Sequence, residues 1–189
     1  LIYEDAWDLW PYVFLNENGE PDGYNIDLLK LIFKELDIPY VIKLKPTLEA
    51  QADLKNRKSD LMLRMDAEYS RENSLYSKNI VQLFTHSVVV PKNESIHIRQ
   101  GKDLKNYRVI VHGGSFSHYY LMKQGWAKEI VPYDDMKGAI QDIISQENAV
   151  ILWNTMSLKW LMRKYHTDRL ALSPIDMPYG EYKFMSRDH

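Results

Sequence analysis

Short apolar stretches alternate with stretches of helical spacing in two separate blocks of this chain, one before about residue 80 and one after about 107. An order of strand, helix, strand repeated in this way predicts parallel α/β sheets. In the first block "LIYEDAW" reads as the middle of a strand, followed by strands at "YVIKL" (40–44) and "DLMLRM" (60–65). Between them lie the turn cluster "NENGEPDGY" (16–24) and then "NIDLLKLIFKELDIP", which sets Ile26, Leu29, Phe33 and Leu36 at helical spacing. Asn25 stands where an N-cap belongs, and Thr47 stands likewise before the helix "LEAQADLKNRK". "VQLFTHSVVVP" (81–91) is a long extended stretch leading to the second block, and "KDLKNY" (102–107) is a short helical turn. There "RVIV" (108–111), "EIVPY" (129–133), "NAVILW" (148–153) and "RLALS" (169–173) read as strands. "GGSFSHYYLMKQG" (113–125) is a Gly-rich turn running into a helix, and "TMSLKWLMRKYH" (155–166) is another helix. "DDMKGAIQDIISQ" (134–146) carries Met136, Ala139, Ile140, Ile143 and Ile144 on one face, and "EYKFMS" (181–186) is a last strand. Two such blocks predict two small lobes.

The chain has 189 residues, 45% of them hydrophobic, which suffices for one or two packed cores. Its 24 basic and 26 acidic residues nearly balance and form no basic block, which argues against nucleic acid as a partner. There is no Cys, so disulfides and thiolate metal sites are excluded. No apolar run reaches the roughly 18 residues of a membrane span. The opening at Leu1 in mid-strand and the close at "YKFMSRDH" suggest a piece of a longer protein. Neither a nucleophile elbow, a His-Glu-x-x-His pair, a Walker loop nor paired zinc-ligand spacing occurs, so no metal, no cofactor and no catalytic residues are expected.

One stretch stands out against this background. "DAEYSRENSLYSK" (66–78) follows an apolar strand and holds three acids, an arginine and several hydroxyls without Gly or Pro. It reads either as a solvated loop leading into a short helix or as a binding loop.

The order of motifs resembles that of the bacterial extracellular solute-binding proteins, family 3, the amino-acid-binding "Venus flytrap" type. "WPYVFLNENGEPDGYNIDLLKLI" is similar to that family's opening, an aromatic-Pro pair and a Gly turn before an apolar-Asp-Leu helix. "LEAQADLKNRKSDLMLRM" is similar to its helix ending in a basic residue and an Asp before a buried strand. "EYSRENSLYSKNI" resembles its Thr-x-x-Arg helix and aromatic-Ser-x-Pro signature, "KDLKNYRVIVHGGSFSHYYL" its Asp-Leu-Lys, strand, Gly-Ser, helix element, and "NAVILWNT" its Asp-Ala-strand-Asp element. The resemblance covers nearly the whole chain. It implies a two-lobed periplasmic-binding-protein-like α/β fold (type II) with two crossover strands. Lobe 1 is then 1–84 with 178–189, lobe 2 is 85–177, and the family's last helix on lobe 1 lies beyond this chain. The family's ligand sits between the lobes, and ligands of α/β sheets lie outside the carboxyl ends of the strands.

The resemblance also assigns candidate residues. Arg71 matches the family's ligand-clamping arginine, whose guanidinium can fork onto a carboxylate; the plain alternative is a surface Arg pairing with Glu68 or Glu72. Asp66 stands where a ligand-touching Thr or Ser is usual, and it can hold an amine or sugar hydroxyls or pair with Arg71. Gly114, Ser115 and Phe116 match family contact positions, and free backbone N–H groups opening a helix there favour an anion; the alternative is a tight turn with a capping Ser. His112 ends the strand beside them. Arg64 stands where a small residue is common and narrows the pocket, and Trp10 lies on the stretch forming one wall, near Asp5 and Asp8. Trp153 departs from the pattern. Amino-acid binders end this strand in an acid that holds the ligand ammonium, whereas an aromatic there stacks on a ring or sugar or fills a core.

The expected function is an extracytoplasmic sensor domain of a membrane-bound hybrid histidine kinase, binding a small solute of anionic, aromatic or sugar-like character. Such a domain is periplasmic, belongs to an inner-membrane protein through flanking segments, and can form a homodimer in the parent receptor. The alternative is the solute-binding component of an ABC importer. A dehydratase or lyase on the same scaffold, with Asp66 and His112 as an acid–base pair, is the third reading.

Overall fold

The computed structural model describes residues 1–65, 74–92, 96–165 and 167–187. The chain divides into two compact units, one of residues 1–83 with 181–189 and one of residues 84–180.

The first unit begins with β1 (Ile2–Ala6), β2 (Asp8–Leu9), β3 (Val13–Leu15) and β4 (Pro21–Asp22). Helix α1 (Tyr24–Glu35), β5 (Val41–Lys45), α2 (Thr47–Lys55), β6 (Met62–Met65), β7 (Ser74–Tyr76) and β8 (Gln82–Phe84) follow. β5 runs parallel to β1 from Ile2↔Val41 to Ala6↔Lys45, and Tyr3 bridges Leu61 in parallel. The helical spacing of Ile26, Leu29 and Phe33 does bury those three residues on one face of α1. The helix start differs from expectation. Gly23 at φ 112°, not Asn25, occupies the cap, and Asn25 is buried inside the first turn. Backbone carbonyls replace a side-chain cap: Asn25 N–H donates to Tyr12 O at 2.7 Å and Tyr24 N–H to Pro11 O at 3.3 Å. A side chain at Gly23 would place Cβ 2.6 Å from Tyr12 O, so the turn before α1 closes only on glycine. Thr47 is likewise the first helical residue of α2, with Pro46 at the cap.

A charged ladder lines this unit. Glu4, buried on β1, lies 3.5 Å from Lys43 Nζ and 3.6 Å from Lys45 Nζ on β5. Lys45 also pairs with Asp53 of α2, which lies 3.3 Å from Lys58. The two ammonium groups offset part of the desolvation that burying a carboxylate costs.

The second unit holds β9 (His86–Pro91), β10 (Arg108–His112), α3 (Phe116–Gln124), β11 (Glu129–Tyr133), α4 (Met136–Asp142), β12 (Ala149–Asn154), α5 (Thr155–Lys164) and β13 (Leu170–Pro174). Strand β14 (Gly180–Arg187) returns to the first unit, where it pairs antiparallel with β6 and β7. The second unit's sheet has the order β11-β10-β12-β9-β13. β10 is parallel to β11 and β12, but β9 is antiparallel to both β12 and β13. The expectation of parallel sheets therefore holds for β10, β11 and β12 and gives way to a mixed sheet at β9. The physical reason is that β9 and β14 enter their sheets from extended chain with no crossover helix setting their direction, whereas β13, reached from β12 through α5, runs the same way as β12. The stretch 81–91 is also two strands, β8 and β9, and the helix expected over 134–146 ends at Asp142 and tightens into a 3₁₀ turn over Ile143–Ser145.

Alternation along these strands sorts two faces. Val88, Val90, Val109, Val111, Val150 and Leu152 join one core cluster, to which α3 adds Leu121 and the turn Gly101–Asn106 adds Leu104. Val89, Ile110 and Ile151 fall on the opposite face, and so do the next residues of the same parity on β10 and β12, His112 and Trp153. Beside the cluster, Gly101 lies against the Trp126 indole so closely that a Cβ there would come within 1.7 Å of the ring.

Candidate ligand-binding site

β10 and β12 are adjacent parallel strands, and each runs directly into a helix, α3 and α5. The carboxyl ends of such strands are where α/β sheets receive ligands. At those ends His112 and Trp153 stack with ring centroids 5.1 Å apart and planes at 17°. Trp153 is 2% exposed and His112 is 4% exposed, so the two rings pack each other. His86, opposite Asn154 on β9, packs on Phe116 at 5.2 Å and thereby lies between the starts of both helices. It is buried with no partner for Nδ1 among the described residues, and burial pushes its pKa down from 6.5 to about 4.

The loop 113–115 has a settled backbone. Gly113 N–H donates to Tyr133 O at 2.8 Å, and Ser115 N–H to His112 O at 3.1 Å. Gly114, at φ 72°, donates its N–H to His118 Nδ1 at 3.1 Å. Ser115 caps α3, its Oγ accepting from His118 N–H at 3.3 Å. The amides of 113–115 thus have acceptors within the protein, because the turn folds back on β10 and on its own helix, and the expectation of free donors is narrowed to the first-turn residues Phe116 and Ser117. Asn154 caps α5 in the same manner, accepting from Ser157 N–H at 3.0 Å.

In the first unit, Trp10 is half-buried and stacks on Phe14 with centroids 3.5 Å apart. Arg64 lies on β6, half-buried, opposite Lys183 on β14. Its charge acts on Asp5, which sits buried near the end of β1 and accepts hydrogen bonds from Tyr3 Oη and, at 2.7 Å, from Ala6 N–H. Burial nevertheless pushes the Asp5 carboxyl up from 3.8 to about 7, against the pull of those donors. Asp66 and Arg71 lie outside the described residues, as does most of the stretch they belong to.

The structure therefore brings His112, Trp153, Gly114, Ser115 and Phe116 together at one end of the second unit. Trp10 and Arg64 belong to the first unit. Sequence reasoning missed His86 and His118. The only signal for either was a histidine near the start of a strand and one four residues after the glycine of a turn.

Together the sheets and helices define a protein of the periplasmic-binding-protein fold. The sequence profile of the bacterial extracellular solute-binding proteins, family 3, matches residues 6–171, and the chain belongs to that family. By its description that family comprises extracellular solute-binding proteins. Comparison with curated protein sequences finds no match. Among solved structures, the chain is similar to a histidine kinase sensor domain with similarity to periplasmic binding proteins, at TM-score 0.91 and 18% identity over 99% of this chain and 82% of the other. It is also similar to the arginine-bound form of truncated ArgBP from T. maritima, at TM-score 0.86 and 19% identity over 99% and 87%. A substrate-binding protein of an ABC uptake transporter from Streptococcus pneumoniae, with bound histidine, matches at TM-score 0.87 and 16% identity over 100% and 79%.

Proposed function

We propose that this chain is the extracytoplasmic sensor domain of a membrane-bound histidine kinase and binds a small solute other than a plain α-amino acid. The observation that supports this reading is the end of β12. There the chain carries Trp153, buried and stacked on His112, where amino-acid binders carry an acid. A ligand ammonium brought to that position would lose its water without gaining a counter-charge, which costs several kcal/mol. Importer proteins need that charge to capture amino acids, whereas a sensor is free to lose it.

The proposed contacts in the second unit are His112, Gly114, Ser115, Phe116 and Trp153. In the first unit they are Trp10 and Arg64, together with Asp66 and Arg71. An ABC importer component is the competing reading, and the likeness to the transporter protein supports it equally at the level of fold. Two measurements separate them. The coding sequence around residues 1–189 should contain a membrane-spanning helix and kinase motifs downstream of His189; a lipoprotein signal upstream and a stop shortly after His189 would sink the sensor reading. A thermal-shift screen of neutral and anionic solutes should then yield a compound that raises the melting temperature.

A further inference from the structure

Of the three amides in the loop 113–115, two donate to backbone carbonyls fixed by β10 and β11, those of His112 and Tyr133. Only the Gly114 amide donates to a side chain, the Nδ1 of His118, at 3.1 Å. One side-chain rotation on α3 would thus remove the acceptor that His118 gives this amide just before the helix start. An N–H carries one hydrogen, so His118 and an anion compete for it directly. The competition is unequal. Nδ1 accepts from Gly114, so its lone pair points into the place where a carboxylate oxygen would arrive, and two acceptors repel. The backbone N–H of His118 is meanwhile held by Ser115 Oγ at 3.3 Å, which removes a second donor from the same turn.

We propose that His118 is a specificity-determining residue that closes this loop to anions, so that the solute presents an uncharged group, a hydroxyl or a ring, to the loop 113–115. The proposal rests on the solute-binding reading above and deepens it by naming the charge class met by the second unit. Burial, with the nearby His112, lowers the His118 pKa and so preserves the neutral acceptor at physiological pH.

The test uses the 189-residue chain labelled with ¹⁵N and sodium acetate as the anion probe, against sodium chloride at equal ionic strength. In the wild type at pH 7, His118 should show an unprotonated Nδ1 and the Gly114 amide should exchange slowly and ignore acetate. His118→Phe keeps a ring on the first turn of α3 and removes the acceptor. Its Gly114 amide should exchange at least about tenfold faster and shift saturably with acetate. A protonated Nδ1 in the wild type, or a Gly114 amide that saturates with acetate equally in both proteins, overturns the proposal. The tautomer measurement needs no variant, so poor folding of His118→Phe leaves the proposal exposed to refutation. Neither measurement depends on finding the solute: an empty solute screen counts against the binding function, while these resonances judge His118 alone.

Discussion

The imidazole of His112 and the indole of Trp153 lie nearly parallel, 5.1 Å between centroids and 17° between planes, at the carboxyl ends of two adjacent strands. Both rings are buried, and β12 ends in Trp153 and Asn154 with no carboxylate, so on the proposed reading a ligand ammonium finds no counter-charge there. Calorimetry of the twenty amino acids should therefore find no micromolar binder. Tight binding of one of them, retained in Asp66→Asn, would show that the strand end is read wrongly. Trp153→Ala should cost about 3–5 kcal/mol of folding stability, the usual cost of emptying a buried aromatic site.

Gly101 admits no side chain beneath Trp126. A Cβ there would lie 1.7 Å from the indole, far inside contact. Gly101→Ala should lower stability by about 1–3 kcal/mol or more, through forced displacement of the ring. Adding Trp126→Ala should recover part of that loss in denaturant titrations. Strict additivity of the two changes would argue that they do not touch.

Asp5 gives the first unit a dependence on pH. Its carboxyl titrates near 7 in the folded state and at 3.8 ordinarily, so the folded protein holds the proton more tightly. Its stabilising effect is complete below about 3.8 and is lost as pH rises through 7. Asp5→Asn removes that slope. The stability of the variant relative to wild type should rise by about 3 kcal/mol between pH 5 and pH 8.5. A constant difference across that range would mean that Asp5 stays ionised in the fold.

His86 acts in the opposite direction. Its folded pKa, about 4, lies below the ordinary 6.5, so the unfolded chain takes up the proton first. Stability is intact above about 6.5 and is lost as pH falls through 4. His86→Phe retains a ring against Phe116 and should spare the protein about 3 kcal/mol of this acid loss. Parallel acid-denaturation curves for the two proteins would remove His86 from the account.

Much of the frame was legible because burial writes itself into spacing. Ile26, Leu29 and Phe33 revealed α1, and the continuous apolar run of β12 revealed a strand buried on both faces. The antiparallel entry of β9 was not legible, since strand direction depends on partners far away in sequence. The short strands β2, β3 and β4 were invisible because two or three residues carry no period. Asn25 misled because its type favours caps, while the carbonyls of Pro11 and Tyr12 that serve α1 instead belong to a distant turn. At the candidate site the residue types were legible, but whether Trp153 faced a solute or a neighbour was not. The partner of the Gly114 amide was equally hidden, since a helical histidine announces no direction. Asp66 and Arg71, which began the functional reading, fall outside the described residues.

The lysines of β5 have a meaning beyond the carboxylate they serve. Among the described residues β5 pairs only with β1 in its sheet, and an unpaired strand margin is a template on which another molecule's strand can add. Lys43 and Lys45 point back to Glu4 from that margin, and a foreign strand docking there would have to accommodate two ammonium groups already committed to an internal carboxylate. The two lysines thus serve two ends at once, pairing with Glu4 and setting charge beside a strand margin, where charged side chains, lysine above all, disfavour edge-to-edge pairing.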